Sequence, residues 1–204
     1  MVGETIVSAA KKEILAGIRK SIGEREEAAP VERSYIQSGP VDFDGFVERL
    51  NDYNAVVYRC GAEGLSGAIF QAMDVRGKQR LLIPPGLPGG DRFVIDSGLT
   101  YEEIDKSEGV LTGCTVAISK TGTIVLCHTE IEGRRALTLI PDYHLCIVRA
   151  DQVVQTVPEG IRRLREFRTR PITTISGPSA TADIEMTRVK GVHGPRTLDV
   201  ILVS

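Results

Sequence analysis

The chain has 204 residues, of which 42% are hydrophobic and 25% are charged, a composition typical of a globular domain of moderate size. Its net charge of −2 argues against nucleic acid or an anionic membrane surface as a partner. No apolar run approaches the ~18 residues of a membrane-spanning helix, and the first residues lack the apolar core of a secretion signal. We therefore expect a cytoplasmic protein without a membrane span.

The four cysteines, Cys60, Cys114, Cys127 and Cys146, form no Cys-x-x-Cys pair. Zinc ribbons and ferredoxin-type clusters depend on such pairs, so the sequence predicts neither a metal nor a cofactor held by this chain. Each cysteine lies in or beside an apolar stretch, where a free thiol behaves as a small hydrophobic residue. We expect buried structural thiols, and a redox or nucleophilic role for one of them is the alternative.

The N-terminal segment, residues 1–28, is predicted to form an amphipathic helix. Isoleucine or alanine recurs at every fourth position from Ile6 to Ile22, which places these side chains on one helix face. Residues 29–40 carry Pro, Ser and mixed charge without a period, so they are interpreted as a linker. An α/β domain is then predicted to span residues 41–204.

Within residues 41–204, helical and strand patterns alternate, an order typical of a parallel sheet with crossover helices. The predicted helices are 43–53, 61–75, 100–107, 151–167 and 179–189, and the predicted strands are 55–60, 79–84, 109–114, 134–141, 143–150, 171–176 and 198–203. A hairpin signal interrupts the alternation at residues 116–127. We therefore predict an α/β fold with a mixed, largely parallel sheet and flanking helices.

The first candidate site is the segment PITTISGPSATADIE, residues 171–185. A strand is predicted to end at Ser176 and Gly177, and a helix to begin near Thr181, after Ser179. Backbone N–H groups at such a junction can hold a phosphate or carboxylate, and ligands of open α/β sheets bind outside the carboxyl ends of the strands, where we expect this loop. The alternative is a plain turn and helix cap, to which Ser, Thr, Gly and Pro are equally suited.

The second candidate site is the segment GVHGPRT, residues 191–197. Gly191 and Gly194 allow the backbone to approach a ligand closely, while Arg196 supplies a two-pronged anion contact and His193 a titratable ring. We predict that both segments bind one small anion, with His193 as the candidate catalytic residue that donates a hydrogen bond or transfers a proton. An ordinary loop is the alternative.

Two further patterns favour a structural interpretation. Thr121, Gly122 and Thr123 could add hydroxyl groups and backbone amides to the predicted pocket, although a hairpin turn with glycine at positive φ is favoured. His144 and Cys146 share one face of a predicted strand, but a metal would need two more ligands, so we expect a packed core there.

The run IRRLREFRTR, residues 161–170, contains five arginines. Val157, Ile161 and Leu164 predict the buried stripe of a helix, and the arginines fall largely outside it. We expect a solvated face, and an acidic partner protein is the alternative.

Three segments carry a family resemblance: LTGCTVAISKTGTIV, GRRALTLIPDYHLCIVRADQVV and PITTISGPSATADIEMTRVKGVHGPRTLDVILV. Together they closely resemble the lactate-utilization protein C family, whose members carry the LUD domain. The resemblance is strong over residues 110–204 and weaker elsewhere. It implies a fold similar to the NagB/RpiA/CoA transferase-like group, and a role in the bacterial oxidation of L-lactate to pyruvate. It also implies two partner proteins, at least one of which bears the iron–sulfur clusters.

One residue departs from the family pattern, in which Glu commonly precedes the Thr-Gly-Thr motif. Lys120 stands there in this chain. A CoA-transferase-like mechanism needs a carboxylate nucleophile, which Lys120 cannot supply, and Glu130 or Glu132 would have to be positioned for it. A cationic Lys could still favour an anionic ligand.

Two functional hypotheses follow. In the first, the chain is a non-redox subunit or assembly factor of an L-lactate-oxidising system with iron–sulfur partner proteins, and it binds a small carboxylate or phosphorylated ligand. In the second, it is a stand-alone enzyme of the isomerase/CoA-transferase-like fold group that acts on a phosphorylated or CoA-linked metabolite. A nucleic-acid-binding regulator is disfavoured by the charge balance.

Overall fold

A computed structural model describes residues 3–22, 36–178, 180–182, 188–190 and 194–204. The chain divides into two compact units, Met1–Tyr35 and Ile36–Ser204. The first unit contains the predicted N-terminal helix, on which Ile14 and Ile18 are exposed. The predicted limits of helix, linker and domain stay predictions. Within the described ranges, no helix combines the length and apolarity that crossing a membrane requires.

The second unit has α/β architecture. The helices are α1 (Gly3–Ile22, in the first unit), α2 (Phe43–Asp52), α3 (Leu65–Val75), α4 (Tyr101–Asp105) and α5 (Val157–Arg163). The strands are β1 (Val56–Cys60), β2 (Leu81–Ile83), β3 (Phe93–Ile95), β4 (Val110–Thr112), β5 (Val116–Ile118), β6 (Thr123–Leu126), β7 (Tyr143–Arg149), β8 (Val153–Val154), β9 (Thr173–Ile175), β10 (Ala180–Ala182), β11 (Arg188–Lys190) and β12 (Thr197–Val203).

The main sheet has six strands in the order β1-β12-β7-β4-β2-β3, and every neighbouring pair is parallel. Its central strands, β7 and β12, are almost entirely buried, as expected of parallel strands covered on both faces. The predicted α/β class with a largely parallel sheet is confirmed.

Side chains of the central strands alternate between two cores because successive residues of a strand point to opposite faces. On β7, Tyr143, Leu145 and Ile147 join the apolar face of α3. His144, Cys146 and Val148 lie on the other face, where Cys146 and Val148 pack with α2 and with strands of the second sheet. The strand is therefore fixed in register from both sides.

The second sheet has four strands in the order β8-β5-β6-β9 and contains the predicted hairpin. β5 and β6 pair antiparallel through a 3₁₀ turn at Ser119–Thr121 that ends at Gly122, whose φ is 59°. A side chain at position 122 would also collide with Arg49 of α2, since its Cβ would lie 2.8 Å from the Arg49 Cβ. The turn therefore requires glycine for both conformation and space. Lys120 lies in this turn and is exposed.

Three predicted elements are wrong in type or extent. The predicted strand 134–141 contains instead a 3₁₀ turn at Arg135–Thr138. Leu137 is buried against Ile104 of α4 from this turn, without pairing to a sheet. The predicted helix 179–189 is instead the antiparallel pair β10 and β11 where it is described. The predicted helix 151–167 begins only at Val157, after the short strand β8, because Thr156 forms a capping box with Glu159.

Candidate functional site

The topology of the main sheet marks a position at the carboxyl ends of its strands where a ligand is expected. The chain leaves β2 toward β3 on one side, and after β4 it next joins the sheet at β7 on the other side. In open α/β sheets, ligands bind where the connections from two neighbouring strands leave in opposite directions. The expected ligand position is therefore the carboxyl end of the β2–β4 pair.

A loop of residues 127–133, called the edge loop below, lies across these two strand ends. The backbone N–H of Gly86, beyond β2, donates to the Glu130 carbonyl at 2.9 Å, and that of Gly113, beyond β4, donates to the Ile131 carbonyl at 2.9 Å. A Cβ at Gly86 would lie 2.6 Å from the Glu130 carbonyl oxygen, and one at Gly113 would lie 2.8 Å from the Ile131 side chain. Glycine at both positions thus lets the loop sit against the sheet.

The buried carboxylate of Glu132 holds the edge loop in shape. It is fully buried and accepts hydrogen bonds from the Thr115 hydroxyl at 2.6 Å, the Cys127 N–H at 2.8 Å and the Thr129 N–H at 3.0 Å. Three donors to one carboxylate compensate for its loss of water. Both oxygens are engaged inside the protein, so this geometry makes Glu132 a structural residue, and the exposed Glu130 is the carboxylate of the loop that faces solvent.

His128 begins a hydrogen-bonded chain of side chains at the same edge. It has a positive φ of 53°, and its ring nitrogens contact the Gly133 carbonyl at 3.0 Å through Nδ1 and the Thr173 hydroxyl at 2.9 Å through Nε2. A carbonyl can only accept, so Nδ1 carries the proton, and in the neutral ring Nε2 accepts from the Thr173 O–H. The Thr173 oxygen in turn accepts from Arg135 at 3.1 Å, and Arg170 donates to the His128 carbonyl at 3.0 Å.

The structure brings three of the predicted site residues together, in a hydroxyl cluster away from this edge. Thr121 donates to Thr123 at 2.8 Å, and the Thr123 and Ser176 hydroxyl oxygens lie 2.8 Å apart. The contact arises because β6 begins at Thr123 and pairs antiparallel with β9, which ends at Ile175. These hydroxyl groups bond to one another across the ends of two strands.

Three further residues of the predicted site, Gly177, Gly194 and Arg196, lie at the amino edge of the main sheet. A Cβ at Gly177 would lie 2.6 Å from the Tyr53 Cβ, just before β1. Arg196, which follows Gly194 and directly precedes β12, donates from Nε to Asp142 at 2.6 Å and from Nη2 to the same carboxylate. That pairing holds the pKa of Asp142 below its ordinary value. The expectation that Ser176 and Gly177 lie at the carboxyl ends of the main strands is therefore wrong, because β9 belongs to the second sheet and is followed by Gly177 beside Tyr53.

Four more predicted site residues are placed in part or not at all. Thr181 is in β10, opposite Val189 of β11. Ser179, Gly191 and His193 lie outside the described residues, and the assignment of all these positions to an anion pocket stays a prediction.

Comparison with known proteins identifies the family. The sequence profile of the LUD domain matches residues 91–203. The chain belongs to the LUD domain family. A lactate utilization protein C of Deinococcus radiodurans is 44% identical to this chain over 96% of each protein, and one of Bacillus subtilis is 34% identical over 53% of this chain and 49% of its own length. The crystal structure of a DUF162 family protein from D. radiodurans superposes with a TM-score of 0.69, at 41% identity, over 79% of this chain and 95% of its own.

The LUD domain of this chain contains the whole edge loop together with Thr173, Arg135 and Arg170.

The matched range also includes His144, for which the predicted structural role agrees with the geometry. Its side chain is buried and its Nε2 lies 2.8 Å from the Thr112 hydroxyl, and burial lowers its pKa to about 4. In the part of the LUD chain that is described, no three His, Cys, Asp or Glu side chains are grouped to bind a metal ion.

Proposed function

We propose that this chain is a component of a bacterial L-lactate utilization system, acting in the cytoplasm as a non-redox subunit or assembly factor beside iron–sulfur partner proteins. The observation that carries the proposal is the similarity to the D. radiodurans lactate utilization protein C, which extends over 96% of both chains. A match of this extent includes the main sheet, the second sheet and the edge loop, rather than one shared motif.

The environment of the cysteines supports the non-redox part of the proposal. Cys114, Cys127 and Cys146 are buried, while Cys60 is half-buried. A hydrogen bond with Cys146, together with burial, raises the pKa of Cys114 well above its ordinary value, and burial raises the pKa of Cys127 and of Cys60. Metals and clusters bind thiolates, and burial disfavours this charged form, so the proposal assigns the clusters to the partners.

Growth on lactate tests the proposed role. Deletion of the gene is expected to abolish growth on L-lactate as sole carbon source, and a plasmid copy of the chain is expected to restore it. Growth on pyruvate is the control, because pyruvate enters metabolism after the proposed step. Normal growth of the deletion strain on L-lactate would overturn the proposal.

Purification from lactate-grown cells tests the subunit role against a stand-alone enzyme. A tagged chain is expected to elute with partner proteins that show the brown colour of iron–sulfur clusters. A colourless eluate containing only this chain, with turnover of a phosphorylated or CoA-linked metabolite, would instead favour the stand-alone enzyme and reject the subunit role.

A further inference from the structure

We propose that Arg135 and Arg170, held at the edge loop by Thr173 and His128, form a binding site for a small oxyanion, a carboxylate or a phosphate. The site lies at the carboxyl edge of the main sheet and is distinct from the predicted pocket around Ser176 and Arg196. It is argued from its own chemistry and does not depend on the proposed role in lactate utilization.

The first step is charge. Arg135 and Arg170 are both exposed. Among the described residues, neither of them forms an ion pair. Their neighbour Arg134 differs, since it binds the Asp96 carboxylate at 2.7 Å. The edge loop contains two carboxylates. Glu132 is buried and already receives three hydrogen bonds, and the exposed Glu130 forms no ion pair with either arginine. No carboxylate in the described ranges therefore pairs with either guanidinium group.

The second step is geometry. Each guanidinium uses Nη1 to contact a neutral acceptor, the Thr173 hydroxyl for Arg135 and the His128 carbonyl for Arg170. Since Thr173 and His128 are themselves joined at 2.9 Å, the two cations are fixed to one small structural unit. Within the described chain, no acceptor contacts Nε or Nη2 of either arginine, and a guanidinium carries five N–H donors. These remaining donors match the paired oxygens of a carboxylate or phosphate.

The third step is rigidity. Thr173 is the first residue of β9 and pairs with Leu126, the last residue of β6, so its position is set by a strand pair. His128 is fixed by its positive φ and by both ring nitrogens. An anion that binds here meets two guanidinium groups that each already have one hydrogen bond to this rigid unit, which reduces the entropy lost on binding. The site also includes the loop that covers the carboxyl ends of β2 and β4, where the sheet topology favours a ligand.

Isothermal titration of the full chain tests the site, with sodium phosphate and sodium L-lactate as separate probes at constant ionic strength in sodium chloride. We expect saturable binding of at least one probe. Arg135→Gln and Arg170→Gln should each weaken it at least about tenfold, the loss expected for one charge-assisted hydrogen bond. Binding of phosphate alone would assign a phosphorylated ligand, and binding of lactate would assign a carboxylate.

Arg168→Gln is the matched control, because Arg168 is an exposed arginine of the same segment that lacks the contacts of Arg170. It should change affinity less than twofold. Urea denaturation confirms that each variant folds, and Arg135→Lys, which keeps the charge but loses the planar fork, should bind with intermediate affinity. The site is rejected if neither probe saturates, or if Arg168→Gln weakens binding as much as Arg135→Gln. Loss of binding in the variants with normal growth on lactate would separate this site from the proposed function.

Discussion

His144 is expected to make the stability of the protein depend on pH in the mildly acidic range. It lies on β7, is 1% exposed and contacts the buried Thr112 hydroxyl at 2.8 Å. Burial disfavours the charged imidazolium, which lowers the pKa of His144 to about 4, while an unfolded histidine titrates near 6.5. Between these two values the unfolded chain binds a proton that the folded chain does not.

The size of the effect follows from that difference. As pH falls below about 6.5, protons stabilise the unfolded state, and the free energy of unfolding drops by up to about 1.4 kcal/mol per pH unit. The loss reaches about 2 kcal/mol at pH 5 relative to pH 8, and it levels off below the folded pKa at about 3 kcal/mol. This loss is a sizeable part of the 5–15 kcal/mol by which domains are typically stable.

The double variant Thr112→Val/His144→Leu isolates this contribution. Replacing both partners avoids leaving a buried hydroxyl without a hydrogen bond, which would cost about 1–3 kcal/mol at every pH. Urea denaturation at pH 8 and pH 5 should show that the variant loses about 2 kcal/mol less than the wild type over this range, because the other titrating groups are unchanged. Equal pH dependence in both proteins would refute the argument that burial keeps His144 neutral.

Three further predictions concern stability. Asp199 is fully buried and accepts two hydrogen bonds from Arg76, whose side chain is 31% exposed. Asp199→Asn should therefore lower the free energy of unfolding by about 2–3 kcal/mol, between the values for exposed and buried pairs. An unchanged midpoint in chemical denaturation would contradict this. Gly86→Ala, which places a Cβ 2.6 Å from a backbone carbonyl, should lower the melting temperature, whereas Gly89→Ala, whose Cβ would meet only a flexible isoleucine side chain at 3.4 Å, should not. Burial alone would raise the pKa of Asp96, but hydrogen bonds from Arg134 and from backbone N–H groups outweigh burial and lower the pKa. The stability that the Asp96 carboxylate contributes is therefore present above about pH 3.9 and is lost as pH falls through the lower folded value. Asp96→Asn should remove this acid-dependent part of the stability, measured by unfolding between pH 5 and pH 2.

The sequence predicts the central strands well because their local pattern and their burial agree. The runs YHLCIVRA and LDVILV are apolar and partly β-branched, and they form β7 and β12. Residues 134–141 have a similar apolar content, yet Leu137 reaches the core from a 3₁₀ turn that follows Gly133, whose φ is 70°. Composition alone does not distinguish these two ways of burying a side chain. The sequence does not predict the three-residue strand β3, because so short a run does not reveal its pairing with β2.

The candidate site was less predictable because its contacts join distant parts of the chain. The chemistry of Arg196 suggests an anion contact, but its partner Asp142 is 54 positions away, and nothing in the local sequence reveals that pair. Likewise, Thr173 and Arg135 are 38 positions apart. A useful signal was present in the polar run directly after the strand TIVLC, since polar residues that follow a buried strand often line a site. The order of the strands, which brings this run to the ends of β2 and β4, is what marks it as a candidate site.

The position of β12 in the main sheet has a consequence for folding. This strand lies between β1 and β7 and pairs with both. Val56 can therefore meet its partner Asp199 only after the whole intervening chain has been synthesised. Until then β1 has an open edge, and the apolar faces meant for β12 are exposed to other molecules. Contacts between such distant residues slow folding, and a nascent chain that stalls before β12 is a candidate for aggregation or for capture by a chaperone.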